Sequence, residues 1–145
     1  MGPELAAWVE AWGALGLAGA AFVGATLVPV SSEAAFVAAV LAGLSPATAL
    51  GWATAGNTAG CLLNYGLGRW GRDRAGQRLR QSAAGRRALA WLDRWGLGAL
   101  WLSWLPVVGD PLTLAAGVAR VRLPLFLPIV AGLRFARYAA LLLVV

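Results

Sequence analysis

The sequence predicts an all-α membrane protein: an inverted repeat of two re-entrant helical hairpins, accompanied by transmembrane helices. Three observations predict this class. Composition comes first: 60% of the 145 residues are hydrophobic and 12% charged, with a mean hydropathy of +0.72, which suits lipid rather than a water-bound core. Second, two prolines are each followed four residues later by an acid. They lie in Leu27-Val28-Pro29-Val30-Ser31-Ser32-Glu33 and Trp104-Leu105-Pro106-Val107-Val108-Gly109-Asp110, and both members are offset by 77 residues, an internal repeat. A charge at the bilayer centre costs about 2.5–3.5 kcal/mol on insertion scales, and proline in a helix interior removes a hydrogen bond. A chain that accepts both penalties twice is building something there. Third, residues 69–94 hold eight arginines against Asp73 and Asp93, so this stretch carries the whole net charge of +6. The positive-inside rule places it in the cytoplasm.

The elements follow in chain order within a single domain, 1–145. The start lacks a basic region and carries Glu4 and Glu10, unlike a secretory signal. Leu5, Trp8, Val9 and Trp12 recur at helical spacing, as in a helix lying at the membrane interface. Hairpin 1 runs from about Gly13 to Gly43, because only ten or so residues separate Glu33 from the break at Gly43-Leu44-Ser45-Pro46. At about 1.5 Å per residue that cannot cross a core of about 30 Å. A conventional crossing by residues 11–30 is the rival reading. Ala47–Gly68 offers 22 uncharged residues, enough to span, and brings the chain to the basic stretch. That stretch ends in an amphipathic helix, with Ala88, Trp91, Leu92 and Trp95 on one face. Hairpin 2, about 97–119, consists of two arms of about nine residues, Leu97–Leu105 and Pro111–Ala119, and emerges at Arg120 and Arg122. Leu123–Val145 is the last crossing, with Arg134 and Arg137 inside it. The hairpins thus enter from opposite faces, as in inverted-repeat transporters. Two full crossings per subunit make self-association into a homo-oligomer an expected possibility.

Several functions are excluded. There is no histidine, the commonest general base, and the lone Cys61 forms neither an intrachain disulfide nor a metal cluster. No metal, cofactor or enzymatic chemistry is expected. One Glu and one Asp on separate broken helices do not make an aspartyl protease. A basic stretch beside membrane spans reads as topology, not nucleic-acid binding.

What remains is the chemistry of the tips. Ser31 or Ser32 can cap a helix with Glu33 in its first turn. Asp110 followed by Pro111 reads as an N-cap with proline at the first helical position. With Pro29, Pro106 and Gly109 shaping the tips, two half-helices begin at mid-membrane, each presenting free N–H groups to an anion. Arg134 and Arg137 lie one turn apart, deep in the last helix, and need counter-ions. Glu33 and Asp110 are the acids at that depth, two against two. Either this is a structural ion-pair network, or an anionic headgroup replaces a carboxylate, since arginine grips phosphate bidentately. A carboxylate so released takes up a proton, which couples protons to transport. Asn57 and Asn64 face the same interior, to line the site or to bond between helices. Gly56 and Gly60, and Gly16, Ala20 and Gly24, form close-packing ridges.

Gly24 to Pro29 with Ser32-Glu33, the Gly56-Asn57 pair, Leu102 to Asp110, and Arg137-Tyr138 together resemble the YqaA-type branch of the DedA (SNARE-associated Golgi, or VTT-domain) membrane proteins, over roughly residues 18–140. The resemblance implies two facing re-entrant hairpins, a bacterial inner-membrane location, and movement of anionic phospholipids or polyprenyl phosphates between leaflets, tied in several members to the proton motive force. Arg134, Arg137, Asn57 and Ser32 become expected substrate ligands, and Glu33 and Asp110 proton-coupling acids. The alternative is a non-transporting membrane scaffold with structural ion pairs.

Overall fold

Proline, glycine and two matching helix stops set the architecture. The computed structural model describes residues 3–25, 32–105 and 108–145, with side chains from residue 13 onward. Among these residues the fold is all-helical. Helix α1 spans Pro3–Ala25 and kinks at Gly13, whose φ of 58° and ψ of −131° leave helical space. Glycine adopts this without steric cost. The kink separates the tryptophan-bearing start from an apolar arm, Gly13–Ala25. Then come α2 (Ser32–Leu41), α3 (Pro46–Trp70), α4 (Arg72–Arg80), α5 (Ala83–Trp95), a 3₁₀ segment (Gly96–Leu102), α6 (Gly109–Val118) and α7 (Leu123–Leu142).

The sequence repeat is written into the backbone. Helices α2 and α6 begin 77 residues apart and end 77 residues apart, and α3 and α7 begin at the same offset. Both short helices finish on one hydrogen-bond pattern. Gly43 N–H donates to Val40 O and Leu44 N–H to Ala39 O; Arg120 N–H donates to Gly117 O and Val121 N–H to Ala116 O, each at 3.0 Å. This is the Schellman motif, which needs a left-handed residue at its turn. That residue is Gly43 (φ 104°) in the first copy and Arg120 (φ 57°) in the second. A helix start follows each stop, with Pro46 the first residue of α3 and Pro124 the second of α7. Ser45 caps α3, its Oγ accepting from Thr48 N–H at 3.3 Å, with Pro46 at the first helical position, where no N–H is needed.

The chain folds as two units, residues 1–60 with 134–145, and residues 61–133. In the first, Leu17, Ala20, Ala21, Ala35, Phe36, Ala39, Ala49, Ala53 and Tyr138 form the core. Gly56 and Gly60 let α3 lie directly on α1: a Cβ at Gly56 would sit 2.0 Å from the Ala18 carbonyl oxygen. In the second unit α6 is buried continuously from Leu112 to Gly117. Gly117 meets the Tyr65 carbonyl of α3, and Gly68 the Leu114 carbonyl, just as closely. Small residues are what permit such backbone approach. The basic stretch forms α4 and α5. Ser82 Oγ accepts from Gly85 N–H at 3.0 Å to start α5, which buries Gly85, Ala88 and Leu92 and leaves Trp95 exposed.

Among the described helices, α7 alone is both long and apolar enough to cross a membrane, with a mean hydropathy of 1.6. Helix α3, at 25 residues, has the length. Its glycines, threonines and two asparagines dilute its hydropathy.

Candidate functional site

The first unit gathers most of the charge expected in the interior. Arg137 of α7 forms an ion pair with Glu33 in the first turn of α2. Their side chains are 25% and 30% exposed, so the pair is largely withdrawn from solvent. Arg134, one turn earlier on α7, is 2% exposed, the largest fully buried side chain among the described residues. Beside it on the helix Tyr138 is buried too and stacks on Phe36 of α2, with ring centroids 5.2 Å apart and planes tilted by 36°. Ser32 is buried at the start of α2. On α3, Asn57 is 1% exposed and its Nδ2 donates to the Ala21 carbonyl of α1 at 3.1 Å. Its amide ties α3 to α1, one residue from the Gly56 contact that makes the approach possible.

Glu33, Arg134 and Arg137 therefore share one unit, while Asp110 belongs to the other. Asp110 is not the N-cap that the Asp-Pro pair suggests. Helix α6 starts at Gly109 with Val108 as N-cap and no side-chain cap. Gly109 N–H already bonds Leu105 O at 2.9 Å, and Leu112 N–H bonds Val108 O at 3.0 Å. The helical phase thus begins earlier than the Asp-Pro pair suggested. Asp110 and Pro111 sit within the first turn, where a carboxylate still meets the positive end of the helix and proline forfeits no bond. Gly109 is tight for a separate reason: a Cβ there would lie 2.1 Å from the Ser103 carbonyl oxygen. Pro29, Pro106 and Ser31 lie outside the described residues.

A second polar chain joins α3 to α6. Asn64 Nδ2 donates to Thr113 Oγ1 at 3.1 Å, and Thr113 Oγ1 donates to the Asp110 carbonyl at 2.7 Å. Asn64, Thr113 and Ser103 are all buried. Neither Thr113 nor Ser103 stands out in the sequence. The usable signal was the repeat, which puts a buried helix at α6 and so makes any hydroxyl there a candidate partner. Among the described residues no cluster of metal-ligating side chains occurs.

These features define a small helical protein in which α7, the described helix both long and apolar enough to cross a membrane, carries a buried and a largely buried arginine. The VTT domain family matches residues 28–133, and the chain belongs to that family, also known as DedA. The inner membrane protein YqaA of Escherichia coli (strain K12) is 42% identical over 113 residues, covering 77% of this chain and 76% of its own length. The same holds for the inner membrane protein YqaA of Shigella flexneri. An uncharacterized protein of Haemophilus influenzae is 38% identical over 109 residues, 70% of this chain and 67% of its own. No solved structure matches.

Proposed function

We propose that this protein is a multi-pass protein of a bacterial inner membrane that moves a phosphate-bearing lipid between leaflets. The pair Arg137–Glu33 carries the proposal. A guanidinium in an apolar helix must have an anionic partner, and a lipid phosphate can substitute for the carboxylate with bidentate geometry. Glu33, once displaced, takes a proton from water, so lipid entry and proton uptake are linked. Arg134 supplies a second positive charge one turn away. Asn57 supports the site by holding α3 on α1, and Ser32 adds a hydroxyl at the start of α2. Asp110 holds the equivalent position in the second repeat and is the second titrating acid. No catalytic step, metal or cofactor is involved.

The membrane placement is supported by the names of the inner membrane relatives and by the span-length α7. The re-entrant reading is supported by helix length. Gly13–Ala25 and Ser32–Leu41 extend about 20 and 15 Å at about 1.5 Å per residue, short of a core of about 30 Å, and α1 and α2 pack against one another. The 3₁₀ segment and α6, which also touch, are the counterpart in the repeat. Residues 69–94 then face the cytoplasm. Homo-oligomerisation is compatible with this arrangement.

One observation favours a different reading. The Glu33–Arg137, Asn57–Ala21 and Asn64–Thr113 contacts all satisfy buried polar groups from within the chain, as a non-transporting scaffold requires. Leaflet exchange of labelled phosphatidylglycerol in proteoliposomes decides between them. Transport predicts exchange by the wild type that is lost in Arg137→Gln and reduced in Asp110→Asn. No exchange of any anionic lipid by the wild type favours the scaffold.

A further inference from the structure

Away from the Glu33–Arg137 pair, at the end of α3 and the turn between α6 and α7, an open pocket of about 620 Å³ is lined by Tyr65, Arg69, Trp70, Arg120, Arg122 and Leu123 among others. We infer that this pocket is a second, resident site for a phosphate-bearing lipid headgroup. The inference rests on the membrane reading of α7 and not on transport.

Charge is the first argument. Three arginines converge on one cavity, and among the described residues none of the three has a carboxylate partner. Arg69 and Arg120 have an ordinary explanation, because each lies at the C-terminal end of a helix, which favours a cation. Arg122 does not. It stands instead at the entry to α7, the positive end of that helix dipole.

Backbone conformation is the second argument. Arg120 holds a left-handed turn, φ 57°. The identical turn of the first repeat uses Gly43, where a Cβ would meet nothing within 4 Å. Space therefore does not decide between the two residues. A side chain at such a φ is disfavoured relative to the right-handed form, and the second repeat accepts this with an arginine that lines the pocket.

Fixed geometry is the third. Tyr65 Oη donates to the Val121 carbonyl at 2.5 Å and accepts from Arg69 Nη1 at 3.2 Å, while its ring packs on Phe126 at 4.7 Å between centroids. One phenol thus locks the arginine-bearing turn to α3 and orients Arg69. Trp70, 86% exposed, folds its ring back over Gly66, whose missing Cβ leaves room for it. Three cations beside an indole and the apolar Leu123 and Pro124 match a phosphate with an acyl chain leaving it. Interfacial tryptophan and basic pockets at helix ends recognise such headgroups in membranes.

The test is native mass spectrometry of the full chain in detergent, titrated with dioleoyl phosphatidic acid. The wild type is expected to hold one lipid through the mild activation that strips diacylglycerol. Arg120→Gln/Arg122→Gln should weaken binding at least about tenfold, the loss of two charge-assisted contacts. Arg72→Gln/Arg74→Gln removes equal charge from exposed positions on α4 and should leave binding intact. Equal weakening by both double variants would mean diffuse charge and overturn the inference. So would loss of the lipid in Arg137→Gln with retention in Arg120→Gln/Arg122→Gln. Displacement of the lipid by equimolar glycerol 3-phosphate would assign the pocket to soluble phosphate and reject a lipid. A wild type that binds here yet exchanges no lipid between leaflets sinks the transport proposal while leaving this one standing.

Discussion

Helix α3 carries two glycines five residues apart that should respond oppositely to the same substitution. At Gly56 a Cβ would lie 2.0 Å from the Ala18 carbonyl oxygen and 2.8 Å from its Cα, whereas ordinary contact begins at 3.4 Å. The shortfall of about 1.4 Å is against backbone, which has no rotamer to change, so α1 must move away bodily. Overpacking of this kind costs about 1–3 kcal/mol, less about 0.5–1 kcal/mol regained from replacing glycine in a helix. Gly56→Ala should therefore destabilise by about 0.5–2 kcal/mol. The same displacement would stretch the Asn57–Ala21 bond, 3.1 Å long in the folded protein. At Gly51 nothing lies within 4 Å of the added carbon, and Gly51→Ala should stabilise by about 0.5–1 kcal/mol. Unfolding in mixed detergent micelles, followed by circular dichroism, reads both values. If Gly56→Ala stabilises as much as Gly51→Ala, α3 does not seat on α1, and Asn57 has no reason to be where it is placed.

Two further outcomes follow from the geometry. Asn64→Ala removes the donor to Thr113 Oγ1, whose own bond to the Asp110 carbonyl remains, and should cost about 0.5–1.5 kcal/mol, while Asn64→Leu/Thr113→Val should lose less than the two single losses combined; additive losses in unfolding would show that the two side chains do not meet. Single cysteines at Ser45 and Gln81, both exposed, should react with an impermeant maleimide from opposite sides of the membrane, the native Cys61 being buried. Labelling of both from one side rejects the re-entrant topology.

The sequence was most informative where two independent signals coincided. The Pro-acid repeat at an offset of 77 foretold the matched α2 and α6, and the Gly43-Leu44-Ser45-Pro46 run foretold a helix stop followed at once by a helix start. Gly56 and Gly60 were legible as packing positions because their four-residue spacing puts both on one face of the helix. The ion pair of Glu33 with Arg137 followed from charge balance. Charge balance carries no distances, however, and does not say which arginine meets which acid. The start of α6 was missed by one residue or more because an Asp-Pro pair is compatible with the cap and with the first turn alike, and the deciding bond, Gly109 N–H to Leu105 O, is a backbone one. Arg120 was read for its charge alone. Its left-handed backbone became visible only when its partner in the repeat, Gly43, was seen to make the same turn.

Stability and leaflet exchange measured on the same preparations test the central claim most directly. Arg137→Gln leaves Glu33 as an uncompensated charge and should both destabilise the protein and stop exchange. Glu33→Gln/Arg137→Gln removes both charges, which restores much of the stability but supplies no guanidinium for a phosphate, so exchange should stay lost. A double variant that moves lipid at the wild-type rate would contradict the account, because the buried pair would then be a strut and not a binding site.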